Sequence, residues 1–411
     1  MFLNIMNGIP MQTALFDIAD KYKVQVDLVE SDYKKFYEAI MLIDKGSSTK
    51  LSNTHNRDEQ VILRNRVSRN ILSAVLELTN GCSFDCLHCY LDKNNTNFQD
   101  YERVIWVLDE LNKCGCYSIL LTGGEPLIHP DFVKIYKYAS EVGFKVSVYT
   151  NGYFLSNEIV DVFKKYPPSM LAITLYGFDK DSYKAFTKVS DSFDKVSINL
   201  QRYGGMGIPI KTRTQLHRLN YHDVGKYKRL AASFGLNFSL RSFVCPPNND
   251  DQYSEKINLN LSPEDIVYYE KQYKDPITES TNDLVQQMKN TTPSQFSSID
   301  WVCGGGITSC LIDCEMKMSP CVQIREPYVK LDESSISNAW LKLGEKLEIL
   351  LSDKQVKNLA NACRECDYKE DCNICVAWIL RINEPYMKDF IDEYMCKIAK
   401  IRYCGAIINN K

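Results

Sequence analysis

Between residue 70 and about residue 245, short apolar runs alternate with longer segments of helical spacing. The apolar runs predict strands at residues 74–79, 118–122, 145–150, 170–176, 209–214 and 237–243. The segments between them predict helices at residues 101–114, 132–142, 158–165, 193–203 and 224–234. Alternating strands and helices are typical of parallel β/α units, so six units predict an α/β fold with a partial barrel. Reactive residues in such barrels gather at the carboxyl ends of the strands.

The segments on either side of this pattern differ from it. Residues 1–68 are expected to form a small α+β module, because residues 24–29 alternate like a strand and residues 32–43 have helical spacing after Ser31. Residues 45–60 are polar and typical of a linker. Residues 246–300 predict a second linker with a helix near 263–274, and residues 301–411 form a cysteine-rich region.

The bulk composition limits the class of protein. The chain has 411 residues and a net charge of −3 with no basic excess, which argues against a nucleic-acid partner. No apolar run approaches the ~20 residues that span a membrane, and the first residues do not resemble a signal peptide. Sixteen cysteines without an export signal indicate metal or redox chemistry in a reducing, cytoplasmic compartment.

Two motifs follow the first two predicted strands. Cys82, Cys86 and Cys89 come after the turn Asn80-Gly81, and Gly123-Gly124-Glu125-Pro126 ends the second strand. Three thiols at these spacings can hold one face of a 4Fe–4S cube and leave one iron open. A mononuclear zinc site would need a fourth ligand nearby, and the sequence offers none there.

These two motifs, in this order, resemble those of the radical SAM enzymes. The resemblance implies that Cys82, Cys86 and Cys89 bind a 4Fe–4S cluster whose open iron holds S-adenosylmethionine. His88 stands where the family has an aromatic residue near the adenine. The positions expected to bind S-adenosylmethionine are Thr122, Gly123, Gly124, Glu125, Asn151, Thr174 and Arg213. Glu125 holds either the loop or the ligand, Asn151 and Thr174 are otherwise turn residues, and Arg213 otherwise forms a surface ion pair.

The last quarter of the chain contains ten cysteines, too many to explain by packing alone. The arrangement resembles the SPASM domain, which binds two auxiliary 4Fe–4S clusters. The resemblance implies a first auxiliary cluster on Cys303, Cys310, Cys321 and Cys375. It implies a second auxiliary cluster on Cys363, Cys366, Cys372 and Cys396. The expected cofactors are therefore three 4Fe–4S clusters and S-adenosylmethionine.

The cysteine pattern departs from the family in three respects. The quartet ends in a gap of two residues where the family has three, and Met316 replaces an expected glycine. Cys314 and Cys404 are additional, so Cys314 could replace Cys310, and Cys404 could replace Cys396. Structural zinc remains an alternative, because Cys-x2-Cys pairs also bind zinc.

The resemblance implies an enzyme that uses a 5′-deoxyadenosyl radical to modify a ribosomally synthesised peptide. A thioether or carbon–carbon cross-link is the expected product, with peptide epimerisation or sulfatase-type formylglycine formation as rivals. Cys245, just past the sixth strand, is either a catalytic residue (a radical quencher, an acid–base group, or the hydrogen donor of an epimerase) or an inert buried thiol. Residues 1–68 read the leader of the precursor peptide, or else form a structural extension or lid.

Two further expectations complete this interpretation. The enzyme needs an electron donor such as flavodoxin or ferredoxin. From a different class of function, the chain could be a zinc-stabilised binding protein with a degenerate barrel.

Overall fold

The computed structural model describes residues 65–91, 96–242, 244–247, 258–273, 303–332, 335–372 and 374–409, with isolated residues before position 32. The chain divides into two compact units, Met1–Val61 and Ile62–Lys411. In the first unit, Val26, Asp27 and Val29 are helical, so the predicted strand at 24–29 is wrong there. Val26 and Val29 lie three positions apart, a spacing that puts them on one face of a helix but on opposite faces of a strand. The predicted helix at 32–43 and linker at 45–60 lie outside the described residues.

The second unit confirms the predicted partial barrel. Its strands form a nine-stranded sheet over the described residues, ordered β6-β5-β4-β3-β2-β1-β7-β8-β9. The first six strands are parallel neighbours. Their bounds are β1 Ser73–Glu77, β2 Ser118–Thr122, β3 Lys145–Thr150, β4 Met170–Thr174, β5 Ile210–Gln215 and β6 Asn237–Arg241.

Amphipathic helices follow the barrel strands and cover one face of the sheet. They are α1 Tyr101–Lys113, α2 Phe132–Val142, α3 Asn157–Lys165, α4 Lys180–Thr187, α5 Ser192–Gly204 and α6 Val224–Ser233. The sequence patterns predict five of these helices, and α4 is additional. Asp179 begins α4 with a capping box, in which its carboxylate accepts from the Ser182 amide at 2.8 Å.

Alternate strand residues face opposite sides of the sheet. Residues such as Ala74, Ile119 and Val148 are buried in one apolar core with the helices. Their strand neighbours, among them Thr122 and Arg213, therefore face the barrel interior. The positions expected to bind a ligand lie on this second face or at the carboxyl ends of the strands.

The cysteine-rich region extends the same sheet. Strand β7 (Ser309–Ile312) pairs in parallel with β1, with Cys310 opposite Ala74. Strands β8 (Lys317–Ser319) and β9 (Val329–Lys330) continue antiparallel from β7. Strand β1 therefore lies between a barrel strand and a strand from the cysteine-rich region. The predicted division near residue 300 stays a prediction, since the sheet itself runs across it.

The remaining described helices carry the later cysteines. They are α7 Pro263–Gln272, α8 Ile336–Ser352, α9 Lys354–Glu365, α10 Val376–Leu380, α11 Met387–Asp389 and α12 Cys396–Asn409, with a π-helix at Phe390–Met395. Cys375 immediately precedes α10, and Cys396 begins α12. No helix among the described residues has the length and apolar character needed to cross a membrane.

Two arginines ahead of β1 hold the loop that contains Cys303. The Arg66 Nη1 group donates to the carbonyl of Cys303 at 2.7 Å, and the Arg69 Nε group donates to the carbonyl of Gly306 at 3.1 Å. The Arg69 guanidinium also lies 4.4 Å from the ring of Trp340 on α8. The Trp340 indole in turn donates to the Arg69 carbonyl at 2.6 Å.

Gly344 on α8 makes room for Arg69, and this contact can be tested. A Cβ atom at Gly344 would lie 2.0 Å from Arg69 Nη1. We expect Gly344→Ala to lower the free energy of unfolding by about 1–3 kcal/mol, because the guanidinium is held by its other contacts. Helix propensity alone would make the change stabilising by about 1 kcal/mol. Anaerobic thermal unfolding decides the sign, with Glu345→Ala on the exposed face of α8 as control.

Candidate active site and cysteine groups

The loop after β1 brings three half-buried thiols, Cys82, Cys86 and Cys89, to the carboxyl edge of the sheet. Two loop amides are tied to α4: Asp85 N donates to the Thr187 carbonyl at 2.9 Å, and Leu87 N donates to the Phe186 carbonyl at 3.3 Å. The loop conformation is therefore fixed by the helix that the sequence patterns do not predict.

The glycine loop after β2 packs directly on the backbone that leads into the cysteine loop. The Gly124 amide donates to the Thr79 carbonyl at 2.7 Å, and the Glu125 amide donates to the Gly81 carbonyl at 2.9 Å. A Cβ atom at Gly123 would lie 2.1 Å from the Thr79 oxygen, and one at Gly124 would lie 2.2 Å from the Gly81 oxygen. Both positions need glycine because two backbone segments meet there.

Glu125 holds this loop through its buried carboxylate. The carboxylate accepts from Thr150 Oγ1 at 2.8 Å, from the Asn151 amide at 2.7 Å and from the Leu127 amide at 3.0 Å. Burial raises the pKa of Glu125 to about 7, although these hydrogen bonds favour the charged form. The carboxylate therefore holds the loop, and a contact of Glu125 with the ligand stays a prediction.

Cys82 receives two weak hydrogen bonds to its sulfur. Asn151 Nδ2 and the Phe84 amide each lie 3.4 Å from Cys82 Sγ. Donors to a cluster-ligating sulfur shift the reduction potential of an iron–sulfur cluster. The side-chain oxygen of Asn151, Oδ1, accepts from the Tyr153 amide at 2.9 Å. Asn151 thus supports a cysteine of the loop, and its predicted contact with S-adenosylmethionine stays a prediction.

Tyr176 lies beside the three thiols, and the sequence patterns do not single it out. Its ring centroid is 5.7 Å from that of Phe84 and 5.7 Å from that of His88. Burial raises the pKa of Tyr176 well above its usual value, so the phenol stays protonated. The charged groups that add to this rise are, in order, Cys86, Cys82, Cys89 and Glu125. Tyr176 follows the carboxyl end of β4 by two residues, and this place in the barrel could have marked it as a candidate site residue.

His88 belongs to an aromatic group next to the cluster loop. The His88 ring centroid lies 5.0 Å from that of Phe186, which stacks on His217 at 4.5 Å. Burial, followed by the charge of His88, lowers the pKa of His217 to about 3. The group therefore presents aromatic rings beside the cluster loop, and the contact of His88 with an adenine stays a prediction.

Arg213 and Thr174 lie side by side on neighbouring strands, paired in the β4–β5 register. The Arg213 guanidinium is 4.1 Å from the Tyr149 ring. Its Nε atom is buried and has no hydrogen-bond partner among the described residues. A buried cationic donor of this kind fits a carboxylate ligand, as the sequence predicts for the methionine end of S-adenosylmethionine.

A buried ion pair joins the barrel to the cysteine-rich region. Arg325 Nη1 and Nη2 donate to the two oxygens of Glu77 at 2.8 and 2.7 Å. The Glu77 side chain is 2% exposed, and the Tyr90 hydroxyl donates to the same carboxylate at 3.1 Å. Tyr90 follows Cys89, so the pair ties the cluster loop, β1 and the loop after β8 together. Long-range pairing of this kind leaves no signal in local sequence.

The predicted second auxiliary group comes together in the structure. Burial raises the pKa of Cys363 to about 12, and the nearby charges that add to this rise include Cys372, Cys396 and Cys366. Asp392, on the π-helix before Cys396, also lies close to Cys363. Cys404 is exposed, eight positions further along α12.

The predicted first auxiliary group comes together in part. Burial raises the pKa of Cys375, and the charges of Cys303 and Cys321 add to the rise. Cys245 also contributes to this effect, so it lies beside Cys375. Cys303 and Cys321 both flank Gly305: a Cβ atom there would lie 3.7 Å from Cys303 Sγ and 3.3 Å from Cys321 Cβ.

Cys310 and Cys314 lie elsewhere. Cys310 is 1% exposed on β7. Burial raises its pKa, and the thiols that add to the rise are Cys116 and Cys114, at the end of α1. Cys314 lies among acidic groups, and the Asp313 and Glu77 charges add to the burial that raises its pKa to about 11. Both cysteines that the sequence offers for the fourth position are therefore placed apart from Cys303, Cys321 and Cys375.

All sixteen cysteines belong to the described residues, and none of them forms a disulfide. Among the described residues no group of three or more His, Cys, Asp or Glu side chains is set closely enough to hold a single metal ion. Thiolates that bind the corner irons of a cube lie further apart than the ligands of one ion.

The fold, the cysteine loop and the glycine loop define a class of enzyme. Residues 76–231 match the family model of the radical SAM superfamily. This part of the chain is a radical SAM domain, and the cofactors of this class are a 4Fe–4S cluster and S-adenosylmethionine. The buried Arg213 donor and the three thiols beside Tyr176 fit those cofactors.

Individual relatives are more distant. The chain is 22% identical over 334 residues to the AdoMet-dependent heme synthase of Methanosarcina barkeri, which covers 76% of this chain and 93% of that protein. SuiB of Streptococcus suis, solved with its precursor peptide SuiA, matches with a TM-score of 0.60 and 16% identity over 88% of this chain and 87% of SuiB. The anSMEcpe structure with AdoMet and the Kp18Cys peptide matches with a TM-score of 0.52 and 12% identity over 72% of this chain and 87% of that one.

The glycine loop gives a first test of the site. We expect Gly124→Ala to remove the iron held by the Cys82 loop and to weaken S-adenosylmethionine binding at least about tenfold, because a Cβ atom there would collide with backbone atoms. Iron and sulfide analysis after anaerobic reconstitution measures the first effect, and equilibrium dialysis measures the second. Gly225→Ala is the matched control, since its Cβ would approach only the Arg229 guanidinium, at 3.4 Å. Normal iron in Gly124→Ala would contradict this account of the loop.

The Glu77–Arg325 pair gives a second test. Arg325→Met leaves the Glu77 carboxylate buried without its cation, and we expect a loss of about 3–5 kcal/mol in stability. Glu77→Met with Arg325→Met removes both charges and should recover most of that loss. Thermal unfolding of the anaerobically prepared proteins measures both. Equal destabilisation in the single and double variants would show that packing, and not charge, dominates the contact.

Proposed function

We propose that this radical SAM enzyme modifies a ribosomally synthesised peptide, with a thioether or carbon–carbon cross-link as the product. The observation that carries the proposal is the combination, in one compact unit, of the Cys82 loop with two further groups of thiols. The likeness to SuiB, which was solved with its precursor peptide, covers 88% of this chain and supports a peptide substrate.

When bound, the cluster and S-adenosylmethionine supply a 5′-deoxyadenosyl radical that removes hydrogen from an unactivated carbon. The residues of this chain position the cofactor and exclude water. Arg213 holds the carboxylate of the methionine end, while His88 and Phe186 give an apolar surface to the adenine. Glu125 keeps the glycine loop against the cysteine loop, and Tyr176 closes the thiols on the side of β4.

The two further groups of thiols hold auxiliary 4Fe–4S clusters in this proposal. The second group is Cys363, Cys366, Cys372 and Cys396, which the fold brings together. These thiols would hold clusters able to accept the electron that remains when a cross-link forms. A flavodoxin or ferredoxin supplies the first electron, and residues 1–68 serve as the reader of the leader peptide.

One relative supports a second candidate. The AdoMet-dependent heme synthase matches this chain over 93% of its own length, so a haem precursor is an alternative substrate class. Its identity of 22% is low. The peptide proposal is preferred because the fold match to SuiB covers more of this chain, 88% against 76%.

The experiment is an anaerobic reaction of the reconstituted enzyme with S-adenosylmethionine, a reductant and the short peptides encoded beside its gene. We expect release of 5′-deoxyadenosine and, in one peptide, the loss of two hydrogen atoms per cross-link. The Cys82→Ala, Cys86→Ala, Cys89→Ala variant is the control and should give neither product.

Other outcomes identify the rivals. Solvent deuterium in a peptide of unchanged composition indicates epimerisation, and an aldehyde indicates formylglycine. Turnover of a porphyrin with no peptide product supports the haem candidate. Absence of deoxyadenosine with every substrate would contradict the proposed activity.

A further inference from the structure

The fourth position of the first auxiliary group is the unanswered part of the site. Cys303, Cys321 and Cys375 lie together, but a 4Fe–4S cube held by protein alone commonly takes four thiolates. Cys310 occupies the helix-facing side of the sheet, opposite Ala74. Cys314 lies by the Asn80 backbone, next to Glu77.

Cys245 lies with the three thiols. The Cys245 thiol lies close enough to Cys321 and to Cys375 for their charges to interact. Cys245 is therefore near two of the three predicted ligands. The cationic side chains of Arg241 and Arg381 are also close to it. Burial is the larger effect and raises the pKa of the Cys245 thiol to about 11, so iron binding at this thiol would displace its proton.

The backbone around Cys245 is clamped on both sides. Before it, the buried Asn260 side chain accepts from the Val244 amide at 2.6 Å and donates to the Val244 carbonyl at 2.9 Å. After it, Arg381 Nη2 donates to the Pro247 carbonyl at 2.5 Å. These two anchors fix the short segment Cys245-Pro246, which lies between Val244 and Pro247.

The second clamp is part of the same helix that places Cys375. Helix α10 begins just after Cys375 and ends just before Arg381. The Arg381 guanidinium also donates to Glu384 Oε2 at 2.7 Å and to the Tyr386 hydroxyl at 3.0 Å. One five-residue helix therefore sets both Cys375 at its start and, through Pro247, the segment of Cys245 at its end. A rigid arrangement of this kind is what a ligand set needs.

We propose that Cys245 is the fourth thiolate of the first auxiliary cluster, together with Cys303, Cys321 and Cys375. The proposal rests on the proposed auxiliary clusters and gives one of them its full ligand set. A fully ligated cluster offers no iron to a substrate thiolate, so its part in the reaction is electron transfer. A ligated Cys245 also does not serve as the hydrogen donor of an epimerase.

The test uses the full chain with Cys82, Cys86 and Cys89 changed to alanine, so that iron and spin signals come only from the auxiliary clusters. In this background, Cys245→Ala is expected to change the electron paramagnetic resonance spectrum of one reduced cluster and to lower the iron content by about one to four atoms per chain. Cys310→Ala, the matched control, should leave both unchanged. Cys245→Ser keeps the side-chain size and offers an oxygen ligand, so it should shift the same signal.

The possible failures are distinguishable. If the background protein holds two clusters and both Cys245 variants match it in iron and spectrum, the assignment of Cys245 is wrong while the auxiliary clusters stand. The same holds if only Cys310→Ala alters the spectrum. If the background protein binds no iron and sulfide, the proposal of auxiliary clusters is wrong, and the assignment of Cys245 as a ligand is wrong with it. Persistence of the signal from the second cluster in each variant shows that the chain has folded.

Discussion

The position of β1 in the sheet is the constraint on which the rest of this structure depends. It pairs with β2 on one side and β7 on the other, and the cysteine loop follows its last residue. The glycine loop of β2 therefore packs against the turn into that loop, and β7 leads to the residues that reach back to Glu77. Three parts of the site are aligned by the register of one five-residue strand.

The residues expected to bind S-adenosylmethionine have different contacts in this arrangement. Glu125 and Asn151 both direct their polar groups to the protein: the carboxylate holds the loop, and the amide donates to Cys82. Arg213 keeps a buried donor toward the barrel interior. The motif thus builds the shape of the site, while Arg213, on a strand across the barrel, is the group that we propose to contact a ligand.

Much of the barrel could be predicted from sequence, because strand and helix periods are local. The bounds of β2 and β3 agree with their predictions, and α2 does too. Helix α4 has its capping box in the sequence, at Asp179 and Ser182, but it is only eight residues long and buries few apolar side chains. The place of Cys310 could not be predicted, because spacing along the chain does not tell which face of a sheet a side chain takes. Tyr176, Arg325 and the neighbours of Cys245 depend on contacts between distant segments.

The Glu77–Arg325 pair has a consequence for how this molecule can be divided. A fragment that stops near residue 300 would lack the cation that pairs with Glu77, a carboxylate that is 2% exposed in the whole protein. It would also uncover the free edge of β1, whose unpaired backbone groups would invite association with other chains. Because β7 and Arg325 follow the barrel in the chain, the edge of β1 and the Glu77 carboxylate gain these partners only after the cysteine-rich region has been synthesised.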